Sequence, residues 1–241
     1  MTSTFVLIHG AWHGGWCWDR VAGRLREQGH TALCPDLPGH GADETTPAKV
    51  TLRSYTEAVE QVLESLSEPA VLVGHSLGGA VVSQVSENRP EKVGKAVYLS
   101  AFLLRNGESI WRHESPAIPT PSVLSKPNLR MDDKERTLNI DPAVIPEGFY
   151  NGCSANEVAA AMARWRPEPL APILTDLSLT EGRFGNVSRL YITCQRDHVI
   201  PLAAQQDMCR LTPCEVIARM GCGHSPFLSH PQDLAAVLER L

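Results

Sequence analysis

Ser76 lies in the run Gly74-His75-Ser76-Leu77-Gly78, where the apolar stretch "AVLV" ends and a helical pattern begins. Small residues at such a junction let a strand and a helix pack closely. A serine on a tight strand-to-helix turn also holds its oxygen out, where it can attack an electrophile. A hydroxyl is a weak nucleophile until a base takes its proton, and that base needs a partner to fix its tautomer. On a strand-turn-helix elbow these groups follow in the order serine, acid, histidine. Asp197 comes just after the apolar run "LYITC", and His224 sits in "GCGHSPF". The spacing of 27 residues fits one helix and one strand, which places both side chains at the sheet edge that carries Ser76. His198 is beside the acid but precedes its helix, a poor place for the base. Asp176 and Asp207 read as solvated surface groups, and Asp36 as the organiser of its own loop.

Attack on a carbonyl also requires donors for the oxyanion that develops, and losing one costs about 3 kcal/mol of barrier. The backbone N–H of Leu77, directly after the serine, is one expected donor. The glycine-rich run "HGAWHGGW" after the first apolar stretch supplies the other, with Gly10 keeping the loop close and Ala11 as the donor. His75 either supports the elbow or borders the pocket.

The elements that must hold these residues are short apolar runs: "TFVLIHG", "TALCPDL", "AVLVGHS", "VGKAVYLSAF", "VSRLYITC" and a weaker sixth, "CEVIAR". Helical patterns lie between them. In "TLRSYTEAVEQVLESL" the residues Leu52, Tyr55, Val59, Val62, Leu63 and Leu66 share one face, and Thr51 is placed to cap it. In "SHPQDLAAVLERL" Ser229 and Gln232 have capping-box spacing, with Pro231 in the first turn. Alternating strands and helices predict an α/β fold with a mostly parallel, doubly wound sheet. The chain reads as one domain over residues 1–241, interrupted at about 104–185 by a proline-rich insertion too long for a plain loop, hence a cap. Trp111 and Trp165 in this cap either line a pocket or pack it onto the sheet. Of Trp12, Trp16 and Trp18, one is expected to touch ligand.

A net charge of −5 without a basic stripe gives no reason to expect nucleic acid. No apolar run approaches the ~20 residues of a membrane span, and "MTSTFVLIHG" lacks a signal-peptide pattern. Seven cysteines without framework spacing point to reduced thiols and a cytoplasmic setting. Cys209 and Cys214 have no second pair, so no metal site is expected. Cys17 and Cys222 read as small buried thiols, or as a pair near the pocket mouth that soft metals would reach.

The stretches "FVLIHGAWHGGWCW", "GHSLGGAVV", "EGRFGNVSRLYITCQRDHVIP" and "GCGHSPFLSHPQDL" resemble the α/β-hydrolase superfamily. Within it they resemble the group of plant methylesterases, the salicylate-binding esterase and hydroxynitrile lyases. The chain is also similar to bacterial hydrolases of the methyl carbamate carbendazim. The resemblance implies the α/β-hydrolase fold and a cofactor-free serine hydrolase for small methyl esters or methyl carbamates of aromatic compounds. Ser76, Asp197 and His224 would be the triad, with Ala11 and Leu77 in the oxyanion hole. Gly10, Trp12, His75, Trp111, Trp165 and Cys222 are the expected substrate contacts. The lyase branch has threonine at the position of Gly10 and lysine at that of Ser225, so both departures favour the esterase. A hydroxynitrile lyase and a ligand receptor on the same scaffold are the alternatives, and a homodimer is left open.

Overall fold

The computed structural model describes residues 2–113, 123–124 and 126–241. Most of the proline-rich stretch "SPAIPTPSVLSKP" therefore lies outside the described residues. Six strands form the main sheet: β1 (Thr4–Ile8), β2 (Thr31–Leu33), β3 (Ala70–Ser76), β4 (Val93–Ala101), and two more beyond the insertion. The insertion carries three short strands, β5 (Leu129–Asp132), β6 (Thr137–Ile140) and β7 (Glu168–Pro169); β8 (Arg189–Cys194) and β9 (Glu215–Met220) complete the main sheet. Its order is β2-β1-β3-β4-β8-β9, and every neighbouring pair is parallel.

Side-chain alternation along these strands builds two cores. Val6 and Ile8 of β1 pack on one face with Leu72 and Tyr98; Phe5 and Leu7 pack on the other with Val71, Val73 and Val97. The first face is covered by α2 (Leu52–Glu64), α3 (Gly78–Asn88) and α7 (Leu202–Leu211). The second is covered by α1 (Asp19–Glu27) and α9 (Pro231–Leu238). Val59 and Leu63 of α2 are fully buried, as are Leu234 and Leu238 of α9. Burial of such a side chain contributes about 1.5–3 kcal/mol, so two continuous cores hold the sheet rigid under the site.

Thr51 caps α2 and exchanges reciprocal hydrogen bonds with Ser54. The capping box expected at Ser229 does not form. A four-residue helix, α8 (Pro226–Ser229), ends there, His230 precedes α9, and the Ser229 hydroxyl donates to the Ser225 carbonyl instead.

The chain between β4 and β8 is a cap. It holds a small antiparallel sheet, β5-β6-β7, with α4 (Ile145–Phe149), α5 (Ala155–Met162) and α6 (Leu170–Leu174). The hydrophobic pattern does not announce this sheet, because strands of two to four residues are too short to show a period. Among the described residues no helix is long and apolar enough to cross a membrane.

Candidate active site

Ser76 ends the fully buried strand β3 with φ of 52°, in the left-handed region that non-glycine residues avoid. The turn closes because its neighbours are glycines. A Cβ on Gly74 would come within 2.5 Å of the Gly78 carbonyl oxygen, and one on Gly78 within 2.8 Å of the Ile8 and His9 carbonyls. Any larger residue would open the elbow. The strained serine is thus presented at the carboxyl edge of the sheet, where open α/β sheets bind ligands.

The partners stand on the loops that leave β8 and β9. His224 is fully buried and its Nδ1–H donates to Asp197 Oδ2 at 2.7 Å. Its Nε2 is buried and has no hydrogen-bond partner among the described residues. The His75 imidazole packs against that of His224 with centroids 4.5 Å apart, and its Nε2–H donates to the His224 carbonyl at 2.8 Å. The elbow therefore holds the base through the residue before the serine.

Asp197 is held on both oxygens. Oδ1 accepts the amides of Val199 (2.7 Å) and Ile200 (2.9 Å), while Oδ2 accepts His224 and the hydroxyl of Ser100. Ser100 occupies a bulge in β4: His75 pairs with Leu99 but Ser76 with Ala101, and the skipped residue has φ of 38°. That bulge turns a serine from the neighbouring strand onto the acid. The Tyr191 hydroxyl bridges the amide and carbonyl of Ala101, satisfying backbone that the bulge unpairs.

The loop after β1 lies beside the elbow, pinned peptide by peptide. His9 Nδ1–H donates to the Gly10 carbonyl at 2.9 Å. In a trans peptide the N–H opposes the C=O, so this bond turns the Ala11 N–H away from His9. His13 Nδ1–H donates to the Ala11 carbonyl at 2.7 Å, and its Nε2 accepts from the Tyr150 hydroxyl at 2.9 Å. Ala11, Ser76 and Leu77 together border a cavity of about 570 Å³. Its other walls are mostly apolar, with Trp12 and Phe102 from the sheet side, Leu138 and Ile173 from the cap, and Arg112 and His113 as polar members.

Trp12 and Trp111 line this cavity; Gly10, His75, Trp165 and Cys222 do not. Gly10 is filled from behind, since a Cβ there would meet His75 Nδ1 and Ser76 Cβ at 2.9 Å. His75 faces the His224 backbone. Trp165 stacks on Trp12 with planes 9° apart and so packs the cap onto the loop. Cys222 is fully buried with its sulfur 3.6 Å from that of Cys194, and Cys17 is also buried, so the pair does not sit at a pocket mouth. Trp16 and Trp18 lie off the cavity, and His198 is exposed beside Glu147. Asp176 pairs with Arg112, and Asp36 accepts the amides of Gly15 and Ala42. Sequence reasoning missed Ser100, Phe102, His113 and the cap residues Leu129, Leu138 and Ile173. A polar residue ending an apolar strand, "VYLSA", was the one available signal for Ser100.

Burial pushes three imidazoles around the elbow below the usual 6.5: His9 and His75 well below it, and His13 to about 4. For His9 and His13, a second proton would turn an acceptor nitrogen toward the Leu37 amide or the Tyr150 hydroxyl. The unfolded chain therefore binds more protons than the folded one once the pH drops below 6.5. The stability these groups contribute is complete above that value and is lost as pH falls, for His13 down to about 4. Each proton refused costs about 1.4 kcal/mol per pH unit. The melting temperature is expected to fall steeply from pH 7 to pH 5, and His13→Asn to flatten that slope. A melting curve insensitive to pH over this range would contradict the assignment.

The profile of the "Alpha/beta hydrolase family" matches residues 5–237. The chain belongs to this family. This alpha/beta hydrolase is 34% identical over 248 residues to salicylic acid-binding protein 2 of Nicotiana tabacum, covering 97% of the chain and 95% of that protein. It is 32% identical over 246 residues to the putative chloroplastic methylesterase 11 of Arabidopsis thaliana, covering 98% of the chain. The hydrolase spans 63% of that relative's length and 55% of putative methylesterase 13's. A pyrethroid hydrolase from Sphingobium faniae JZ-2 superposes with a TM-score of 0.88 at 29% identity, over 100% of this chain and 97% of that one. Polyneuridine aldehyde esterase does so with 0.83 at 25% identity, over 100% and 99%.

Proposed function

We propose that the protein is a cofactor-free serine hydrolase for small methyl esters or methyl carbamates of aromatic and heteroaromatic compounds. The observation that carries this reading is the strained Ser76 lining an apolar cavity, together with the hydrogen-bonded Asp197–His224 pair whose imidazole packs on that of His75. Ser76 attacks the carbonyl carbon and its proton passes to His224 Nε2. The carbonyl π pair becomes the oxyanion, held by the amides of Ala11 and Leu77. Collapse expels methoxide, which leaves as methanol with the proton from His224. Water then attacks the acyl-enzyme with His224 as base and releases the acid. From an N-aryl methyl carbamate the acid is a carbamic acid, which loses carbon dioxide to leave the amine; carbendazim would give 2-aminobenzimidazole.

A cavity of about 570 Å³ walled by Trp12, Phe102 and Trp111 suits one or two flat rings. The relatives named for methyl esters support the leaving group. Gly10 weighs against a hydroxynitrile lyase, because a threonine there would collide with His75 and Ser76. Ser225 is buried and brings no cation. A cytoplasmic setting belongs to the same proposal and rests on the cysteine pattern.

The test is a screen of aryl methyl esters, N-aryl methyl carbamates, long-chain p-nitrophenyl esters and mandelonitrile, with wild type and Ser76→Ala side by side. Methanol release from the aromatic substrates that depends on Ser76, and no cyanide above the uncatalysed rate, is the expected result. Faster turnover of the long-chain esters would overturn the substrate class, and Ser76-dependent cyanide release would overturn the esterase reading.

A further inference from the structure

Trp12 follows Ala11 with φ of 61°, a conformation that a bulky residue keeps only when its surroundings impose it. The cap imposes it. The Trp12 indole Nε1–H donates to the Leu138 carbonyl at 2.9 Å, and its carbonyl accepts the Arg166 amide at 3.2 Å. Its own amide donates to Glu168 Oε2 at 2.9 Å, across 156 residues of sequence. Glu168 is wholly buried. Its other oxygen accepts the Tyr55 hydroxyl at 3.0 Å, and His40 Nε2 lies 3.2 Å from Oε2 and 2.8 Å from the Tyr55 oxygen. Burial and the neighbouring carboxylate push the Tyr55 hydroxyl well above its usual range, so it stays protonated and donates. A buried carboxylate stapling a cap to a sheet is a costly choice, since apolar residues of similar volume do that better. Its particular property is a charged acceptor aimed at one backbone amide.

We propose that Glu168 is a positioning residue for the oxyanion hole: by holding the Trp12 amide it fixes the Ala11–Trp12 peptide and, through Ala11, the oxyanion donor that borders the cavity with Ser76. The proposal rests on the serine-hydrolase reading. His9 and His13 hold the carbonyls of Gly10 and Ala11, and Glu168 supplies the remaining constraint, on the amide side. Without it the Ala11–Trp12 peptide keeps its His13 bond but loses its anchor on the amide side, so the strained Trp12 backbone gains freedom to shift and passes that freedom to Ala11.

The experiment compares wild type, Glu168→Gln, Tyr55→Phe and Ser76→Ala on p-nitrophenyl acetate, with trifluoroacetophenone as a reversible inhibitor. Ser76 Oγ adds to the ketone carbon, the carbonyl pair becomes an oxyanion and the serine proton passes to His224. Affinity for the ketone therefore reports the oxyanion donors directly. Glu168→Gln keeps the shape but loses the charge, and its kcat is expected to fall roughly 10- to 100-fold, with KM within about twofold. Ketone affinity should fall by the same factor. Tyr55→Phe should show the same split at smaller amplitude. A merely structural staple would lower the melting temperature or raise KM and leave kcat and ketone affinity alone, and that result overturns the proposal. If Glu168→Gln does not fold, Tyr55→Phe decides by the same split. A Ser76→Ala protein with wild-type turnover removes the hydrolase reading, and this inference falls with it.

Discussion

Replacing Ser76 by alanine is expected to lower turnover by roughly 10⁴- to 10⁶-fold, with the melting temperature moved by only a few degrees. Alanine keeps the Cβ and the left-handed backbone that the elbow imposes, and removes only the hydroxyl. His224→Ala should cost about as much activity, and the double variant should be scarcely worse, because serine and base act as one unit. His224 is fully buried, so that variant should also melt lower, while the backbone carbonyl that His75 binds remains. Active-site titration with a fluorophosphonate checks the assignment independently: wild type and Asp197→Asn should label at Ser76 at very different rates, and Ser76→Ala not at all. A Ser76→Ala protein that keeps a tenth of its turnover would refute the mechanism.

Asp197→Asn is expected to cost about 10⁴-fold in kcat, more than its near-identical shape suggests. The amides of Val199 and Ile200 both donate to Oδ1, so asparagine must place its oxygen there. Its NH₂ group then faces His224 Nδ1 and the Ser100 hydroxyl. The imidazole can meet an NH₂ only with an unprotonated Nδ1, which puts its proton on Nε2, the nitrogen that must receive one. Ser100→Ala removes a single donor from Oδ2 and should cost far less, about tenfold. Single-turnover kinetics at several pH values separates the two effects. An Asp197→Asn enzyme within tenfold of wild type would show that the carboxylate does not select the tautomer.

The pieces legible in the sequence are those with local or periodic signatures. Glycines and an abrupt strand end mark the strained turn at Ser76, and chain order and loop position single out the hydrogen-bonded pair Asp197 and His224. The parallel sheet followed from apolar runs that pack on both faces. Ser100 stayed hidden because a bulge is a pairing event between two strands, and nothing local in "VYLSA" requires one. Glu168 stayed hidden in "RPEPL" for a related reason: an isolated carboxylate among prolines looks solvated until a partner 156 residues away buries it. His75 and Cys222 stand near Ser76 and His224 in sequence but do not line the cavity, because the His75 ring binds the His224 carbonyl and the Cys222 sulfur lies against Cys194.

The indole of Trp12 is shared property. Its ring borders the cavity, its stack with Trp165 joins cap to sheet, and its backbone continues from the Ala11 amide. Elsewhere cap and sheet contribute separately: Leu129 and Ile173 of the cap wall the cavity, while Ser76, Asp197 and His224 stand on the main sheet and its loops. Cap exchange between relatives should accordingly transplant selectivity cleanly only when the donor cap brings a matching acceptor for that one amide. A chimaera that swaps the roof without it inherits a new guest list and a slackened reaction centre, so the seam for recombination runs around Trp12 rather than along the ends of the insertion.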